Sequence, residues 1–391
     1  QNFIKYFNEV SSTFDGINNI NKWYEVYSNI CNWSLELDNI DDKNISKILD
    51  EQRVSANHGY SKFILENYKD WINDQGKDIP ILSHNVFNHY LEPVLKEKRK
   101  LVFIIIDCLR LDQWRKISEV LYPIYNIKEN FKIATIPTAT PFSRNAIFSG
   151  LLPNDLKKEH PDLWKKMFYE DQMNNFENIL FEKLLKRNGY NNLSHNYFKI
   201  SDYSRGEKMA NKINDYKNID ILNIVVNFVD ILGHSRSESK VLSELIPNET
   251  AYRDAIFNWF KNSWLYEILK SMSNWDNTEI IITSDHGNTI INKPVLVKGD
   301  QLTSKGIRYK YGRNLRTDNK NVFKISNPIE YNLPMFDINT QYIIAKDYSY
   351  FVYSNDYHKF VNMYKNTFQH GGITMDEMIV PLISLTPKNV K

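Results

Sequence analysis

Leu101-Val-Phe-Ile-Ile-Ile-Asp107-Cys-Leu-Arg110 is the stretch on which the fold turns. Six apolar residues in a row, most of them β-branched, form the pattern of a strand buried on both faces. The run stops at an acid, and helical spacing (Asp112, Trp114, Ile117, Val120, Leu121) takes over at once. In open parallel sheets ligands sit just beyond the carboxyl ends of the strands, so Asp107 stands where an α/β enzyme keeps its chemistry. Taken alone, Asp107 reads equally well as a turn acid that caps the next helix.

Two further strands repeat the device. Ile221–Val229 runs into Asp230, with His234 four residues on, and Glu279–Ser284 runs into Asp285-His286-Gly287. Chance capping does not account for three buried strands that each end in Asp, two of them with a nearby His. The set predicts a metal site at one sheet edge. His370-Gly-Gly, ahead of the strand-like Met378–Leu385, brings a third imidazole in on a flexible turn. Mixed His and Asp donors suit Zn²⁺ or Mn²⁺, whereas carboxylates alone would point to Mg²⁺ or Ca²⁺.

The bulk properties set the frame. The chain has 391 residues, 42% hydrophobic and 25% charged, enough for one large domain and a smaller one. A net charge of +2 gives no field suited to gripping nucleic acid non-specifically. Cys31 and Cys108 have no metal-type spacing and fit a reducing cytosol rather than a disulfide framework. No apolar run approaches the roughly 20 residues that span a bilayer. The chain starts at Gln1 rather than Met, which fits a trimmed N-terminus.

Ahead of the sheet, residues 1–15 (Phe3, Ile4, Phe7, Val10) suggest a short amphipathic segment. Three helical patterns follow: Asn21–Leu37, Lys43–Leu49 continuing through Val54, and Tyr60–Ile72. Together they predict a small all-α bundle within residues 1–80, with Gly76–Pro80 as its boundary and Ser83 capping a helix from His84 to about Lys98. The apolar stripes of these helices are core, not a cofactor box. Residues 81–391 alternate strands and helices, the signature of an α/β domain with a mostly parallel sheet and helices on both faces. Two long stretches, 151–220 and 287–370, exceed simple connections and are expected to roof the site. The second holds Lys305, Arg308, Lys310, Arg313 and Arg316 interleaved with Tyr309 and Tyr311, a pattern that suits phosphate grip and base stacking and equally a solvated loop.

The nucleophile is sought near the first strand. Ile136-Pro-Thr138-Ala-Thr140-Pro-Phe-Ser143-Arg144-Asn145 offers hydroxyls at an extended-to-helix transition, where a helix N-terminus and a cation favour loss of a proton and attack on a phosphoryl or sulfuryl centre.

The order Asp107, Thr140, Asp230-x-x-Gly-His234, Ser-Asp285-His286-Gly, His370-Gly-Gly resembles the alkaline phosphatase superfamily over about 300 residues. Residues 106–114 (Ile-Asp-Cys-Leu-Arg-Leu-Asp-Gln-Trp) and 140–145 (Thr-Pro-Phe-Ser-Arg-Asn) are similar to its PglZ branch. With the helical bundle in front, the whole resembles the effector half of PorX-type response regulators. The resemblance implies two metals, Zn²⁺ first and Mn²⁺ second. One would be held by Asp230, His234 and His370, the other by Asp107, Asp285, His286 and the Thr140 oxygen. Thr140 would be the nucleophile, passing through a phosphothreonine, with the cations about 3.5–4 Å apart. Nucleotide phosphodiesterases of the superfamily place Pro-Asn-His where Phe142-Ser143-Arg144 stands, leaving Arg144 and Asn145 as candidates for the non-bridging oxygen. Ser143-Arg144 is similar to sulfatases, but Thr140 cannot undergo the modification their cysteine nucleophile requires.

The expectation is a cytoplasmic two-metal phosphodiesterase acting on nucleotides or short or cyclic oligonucleotides, with Arg308 and Lys310 as substrate contacts. The resemblance adds an upstream receiver domain, a regulatory protein partner, a homodimer and control of type IX secretion. A phosphomonoesterase or phosphomutase on the same fold is the enzymatic rival. A metal-bound sensing or scaffold protein with little catalysis is the non-enzymatic one.

Overall fold

A computed structural model describes residues 14–40, 43–76, 78–170, 172–300, 304, 306–317, 320–355 and 357–388. The amphipathic segment expected around Phe3 to Val10, and Lys305, lie outside these residues. The core is a six-stranded sheet whose strands are numbered here in chain order: β1 (Lys100–Ile106), β2 (Tyr125–Ile133), β3 (His195–Ile200), β4 (Ile221–Val226), β5 (Thr278–Thr283) and β6 (Ile379–Pro387). Their spatial order is β2-β6-β5-β1-β4-β3. The four strands from β5 to β3 are parallel, and β6 runs antiparallel to β5 and β2. All of β4, and all of β1 after Lys100, is buried, so both faces of the sheet are covered, as continuous apolar runs require.

Register does the positioning. Ile106 lies opposite Val226, and the Asp107 N–H still donates to the Val226 carbonyl at 2.9 Å. Ile105 lies opposite Thr283, which brings Asp285 beside Asp107. Strand β4 ends at Val226, three residues earlier than its apolar run suggests. Phe228–Glu238 is helix, so Asp230 and His234 share a helical face at i, i+4 rather than converging from a strand end.

The two long insertions differ in kind. Residues 151–220 carry four helices and also β3, the edge strand of the main sheet. Residues 287–370 form a separate three-stranded antiparallel sheet (Tyr309–Gly312, Val322–Ile325, Gln341–Ala345) and two strand pairs.

At the N-terminal end the described residues form two long helices instead of three. Ile20–Leu37 is capped by the Asn19 side chain, which accepts from Asn21 N–H at 2.7 Å. Lys43–Trp71 then runs unbroken for 29 residues. The polar interval Ser55–Gly59 suggests a turn, but it is the docking face of a continuous helix. Asn57 donates to Tyr348 Oη at 2.7 Å and accepts from Met375 N–H at 2.8 Å. Ser61 donates to Asp347 at 2.9 Å, and Arg53 pairs with Asp376 at 3.2 Å. Gly59 lets Trp23 approach: a Cβ there would lie 3.0 Å from the indole. The stretch after residue 80 is likewise not one regular helix. A 3₁₀ turn at Ser83–Asn85 leads through a π turn at Phe87–Leu91 into Glu92–Lys96, and Ser83 Oγ accepts from Thr135 N–H at 3.3 Å. No described helix is long and apolar enough to cross a membrane.

Gly287 is the tightest backbone crossing beside the sheet edge, since a Cβ there would sit 1.9 Å from the Asp376 carbonyl oxygen. Gly287→Ala is expected to cost about 1–3 kcal/mol in urea unfolding, the range for forced overpacking. Gly16→Ala, at an exposed position with nothing within 4 Å among the described residues, should stay within about 0.5 kcal/mol of the parent.

Candidate metal centre

Beyond the carboxyl ends of β1, β4 and β5 the expected donors come together. Ligating atoms of Asp230, His234 and His370 lie within 4.8 Å of one another, and so do those of Asp107, Asp285 and His286. Asp230 Oδ1 is 3.3 Å from His234 Nε2 and 3.8 Å from His370 Nε2. The His286 and His370 rings stack with centroids 4.2 Å apart, which joins the two groups into one cluster. Thr140 begins the helix Thr140–Ser149, and its Oγ1 is 3.2 Å from His286 Nε2.

Hydrogen bonds on the far side of each ring set its orientation. His286 Nδ1 is 3.1 Å from the Gly287 carbonyl and His370 Nδ1 is 3.2 Å from the Thr138 carbonyl. Both rings therefore donate backward and turn Nε2 toward the cluster, the arrangement that prepares imidazoles for a metal. The His370 turn is tied to the segment that carries Thr140 by Thr138, whose hydroxyl donates to Gly372 O at 2.8 Å and accepts from Gly371 N–H at 3.1 Å. Gly371 has φ 114°, a conformation that only glycine adopts without strain.

Electrostatics separates the donors. Burial pushes the Asp107 carboxyl up; Arg144 opposes this, and the Asp285 and Asp230 charges add to it, leaving it well above the usual range. Burial also pushes Asp285 up, but His286, Arg144 and Lys132 outweigh it and hold this carboxyl below the usual range. Burial lowers His286 to about 4 and lowers His370 as well, so both imidazoles are neutral donors near neutral pH. The hydrogen bond that His234 donates to the Asp230 carboxylate raises His234. Asp107 Oδ1 is buried with no hydrogen-bond partner among the described residues, as expected of a carboxylate oxygen meant for a cation. Three imidazole nitrogens, three carboxylates and a hydroxyl match the donor chemistry of divalent zinc or manganese.

The expected substrate contacts fall elsewhere. Arg144 is buried among carboxylates, with Nε 3.1 Å from Asp285 Oδ2, Nη2 paired to Asp107, and Nη1 3.7 Å from Glu177. It holds the acids together instead of facing a substrate. Asn145 donates to the carbonyls of Pro141 at 2.8 Å and Met173 at 3.2 Å. Arg308 is fully buried in a bidentate pair with Glu377, both contacts 2.7 Å, and also donates to the carbonyls of Ser349 and Asp347. Lys310 is buried too, donating to Gly306 O at 3.0 Å under the Tyr353 ring. Basic residues alternating with tyrosines at 308–311 are strand periodicity, and the cations are on the inward-facing side.

Sequence reasoning missed Cys108, whose thiol enters the cluster, together with Thr138 and Glu177. The adjacency of Cys108 to Asp107 and of Thr138 to Thr140 was a usable signal; nothing near Glu177 pointed to the site.

Glu377 also accepts from Gly372 N–H at 2.8 Å, so the Arg308 pair supports the His370 turn from behind. Arg308→Ala leaves a buried carboxylate unpaired and is expected to cost about 3–5 kcal/mol in chemical unfolding. Activity that survives in the folded fraction should fall equally on nucleotide and generic substrates. A selective loss on nucleotides would return Arg308 to the substrate site.

Two solved structures of similar shape are murine ectonucleotide pyrophosphatase/phosphodiesterase 5 (13% identity, 73% of this chain and 88% of that one, TM-score 0.48) and its human counterpart (15%, 74% and 88%, TM-score 0.47). No curated protein matches the chain. Residues 1–72 match the PorX response regulator linker domain. Residues 86–385 match the BREX system PglZ alkaline phosphatase-like domain, and across that span, most of its length, the chain belongs to the PglZ alkaline phosphatase-like family.

Proposed function

We propose that this protein is a two-metal phosphohydrolase that cleaves phosphodiesters of nucleotides or of short or cyclic oligonucleotides, with Thr140 as the nucleophile. The observation that carries the reading is Thr140 itself. Only 8% exposed, it opens a ten-residue helix and sets its hydroxyl 3.2 Å from His286 Nε2, where the two donor groups meet. Asp230, His234 and His370 would hold one cation, and Asp107, Asp285, His286 and the Thr140 oxygen the other. Bound there, divalent cations supply Lewis-acid stabilisation of the attacking and leaving oxygens and a more acidic water.

The chain's own groups do the rest. The positive end of the helix dipole favours negative charge on Thr140 Oγ1 and on a phosphoryl group beside it. Pro141 presets the first turn and removes an N–H that would otherwise need a partner. Thr140 Oγ1 gives up its proton and bonds to phosphorus as the ester oxygen departs in line and takes up a proton; water then cleaves the Thr140 phosphoester, which still carries the substrate's other ester group, and restores the hydroxyl. Arg144 holds Asp107 and Asp285 in place through both steps. Entry is from the His234 side, because that side chain is 46% exposed and Asp230 23%, while Asp107, Asp285 and His286 are buried.

Support for a nucleotide comes from Tyr309 rather than from its basic neighbours. Its half-buried ring stands edge-on to Phe142 with centroids 5.8 Å apart and touches the His370-Gly-Gly turn, where a Gly371 Cβ would lie 2.5 Å from it. An aromatic ring beside the His370 turn suits a base. The linker match of residues 1–72 supports a place in a response regulator; by the family resemblance, type IX secretion would be the controlled process and a receiver domain the controlling element.

Metal analysis of the purified chain, paired with hydrolysis of a generic phosphodiester and a generic phosphomonoester, tests this reading. About two equivalents of zinc or manganese are expected. Diester cleavage should fall by roughly a thousandfold in Thr140→Ala, a loss of about 4 kcal/mol of transition-state stabilisation. Monoester preference would make the protein a phosphatase, and bound metal without Thr140-dependent cleavage would make it a sensor or scaffold.

A further inference from the structure

The thiol of Cys108 belongs to neither expected ligand set, yet it is wholly buried inside the cluster. Sγ lies 3.4 Å from Asp230 Oδ1 and 3.5 Å from His286 Nδ1. Sγ, an Asp107 oxygen and an Asp230 oxygen are all within 4.8 Å of one another. A tetrahedral zinc with sulfur at about 2.3 Å and carboxylate oxygen at about 2.0 Å holds those two atoms about 3.5 Å apart. The Asp230 contact has that spacing. His286 Nδ1 already faces the Gly287 carbonyl at 3.1 Å, so the sulfur's place is with the two carboxylates and not with that ring. A second observation points the same way. Asp107 Oδ1, in the residue next to the thiol, is buried and unpartnered among the described residues, while Arg144 occupies Oδ2.

We propose that Cys108 is a ligand of the metal centre, its sulfur joining Asp107 and Asp230 around one cation and biasing the centre toward zinc. The inference rests on the two-metal reading above and revises its ligand sets: Asp107 would move to the cation that Asp230 holds, leaving Asp285, His286 and the Thr140 oxygen for the other. On binding, the S–H bond breaks, its proton leaves to solvent, and a metal–sulfur bond replaces the S–H···Oδ1 contact with Asp230, which frees that oxygen for the cation as well. Thiolate is a soft donor that favours zinc over manganese or magnesium, whose preferred partners are oxygens.

The test is cobalt(II) substitution of the metal-stripped full chain, read by absorption spectroscopy. A near-ultraviolet sulfur-to-cobalt charge-transfer band is expected alongside the visible d–d bands. The band should vanish in Cys108→Ser and persist in Cys31→Ala. Cys31 is the other of the two cysteines, buried in the helix Ile20–Leu37. Zinc affinity of Cys108→Ser should fall at least the roughly 10–100-fold that even outer-shell changes cause, with manganese affinity nearly unchanged. If Cys108→Ser does not fold, a charge-transfer band in Cys31→Ala alone establishes the assignment, because Cys108 is then the sole source of sulfur ligation by thiolate. Visible cobalt bands without charge transfer would overturn the Cys108 assignment and leave the two-metal reading standing. No cobalt bands at all would overturn both.

Discussion

The rest of the site depends on one electrostatic constraint: Asp107 and Asp285 must share a buried space beyond adjacent strand ends. Two carboxylates taken from water and set side by side repel each other and lose hydration, a cost of several kcal/mol per uncompensated ion. Arg144 relieves it by pairing with both at once, and Glu177 stands behind the guanidinium. Arg144, helped at Asp285 by Lys132, faces three acids once Asp230 is added. Such a cluster is stable when further positive charge arrives, and the unpartnered Asp107 Oδ1 is where the deficit is visible. Parallel register makes this arrangement unavoidable, because β1 is flanked by β4 and β5 and each delivers its acid to the same edge.

The second requirement is to bring His370 in from the far end of the chain. A loop cannot hold an imidazole to a few tenths of an ångström unless its own backbone is fixed. Here the fixation is polar and buried. Thr138 bonds to Gly371 and Gly372, Glu377 bonds to Gly372, and Arg308 clamps Glu377. Gly287 completes the fit by letting the Asp376 carbonyl press against the segment that carries Asp285 and His286. The proposed nucleophile and both candidate ligand groups are thus tied into one hydrogen-bonded unit.

These two requirements explain what could be seen in the sequence and what could not. The strands ending in Asp107 and Asp285 were legible because a doubly covered strand needs an unbroken apolar run, and an acid at its end stands out. His370 was legible through its paired glycines. Asp230 was found for a partly wrong reason: Phe228 and Val229 extend the apolar run of β4, yet they begin a helix, and hydrophobicity alone does not separate the two states. The interval Ser55–Gly59 resembled a turn because its polarity serves a tertiary interface that local reasoning does not see. Arg308 and Lys310 misled for the same reason. A basic residue reads as a surface residue until its acid or its carbonyls, distant in sequence, are known. Arg144 lay in the right motif with the wrong task, since its three acidic partners come from residues 107, 177 and 285.

The seam between the helices and the sheet domain shares a segment with the metal centre. Asp376 lies six residues after His370, and its carboxylate accepts from Tyr27 and pairs with Arg53, both on the N-terminal helices. Asn57 holds the neighbouring Met375 amide. Arg53, Asn57 and Ser61 are spaced four residues apart, so one stripe of the long helix makes the contacts to Asp376, Met375 and Asp347, and Tyr27 adds its bond from the first helix. Burial pushes Asp376 up, and Arg53 is the leading influence opposing it. Sliding the helix by one turn would strand a buried carboxylate and a buried amide together, and each unmade bond costs about 1–3 kcal/mol or more. The helices are therefore structural members of the site: the polar contacts that seat them also fix the turn that carries His370.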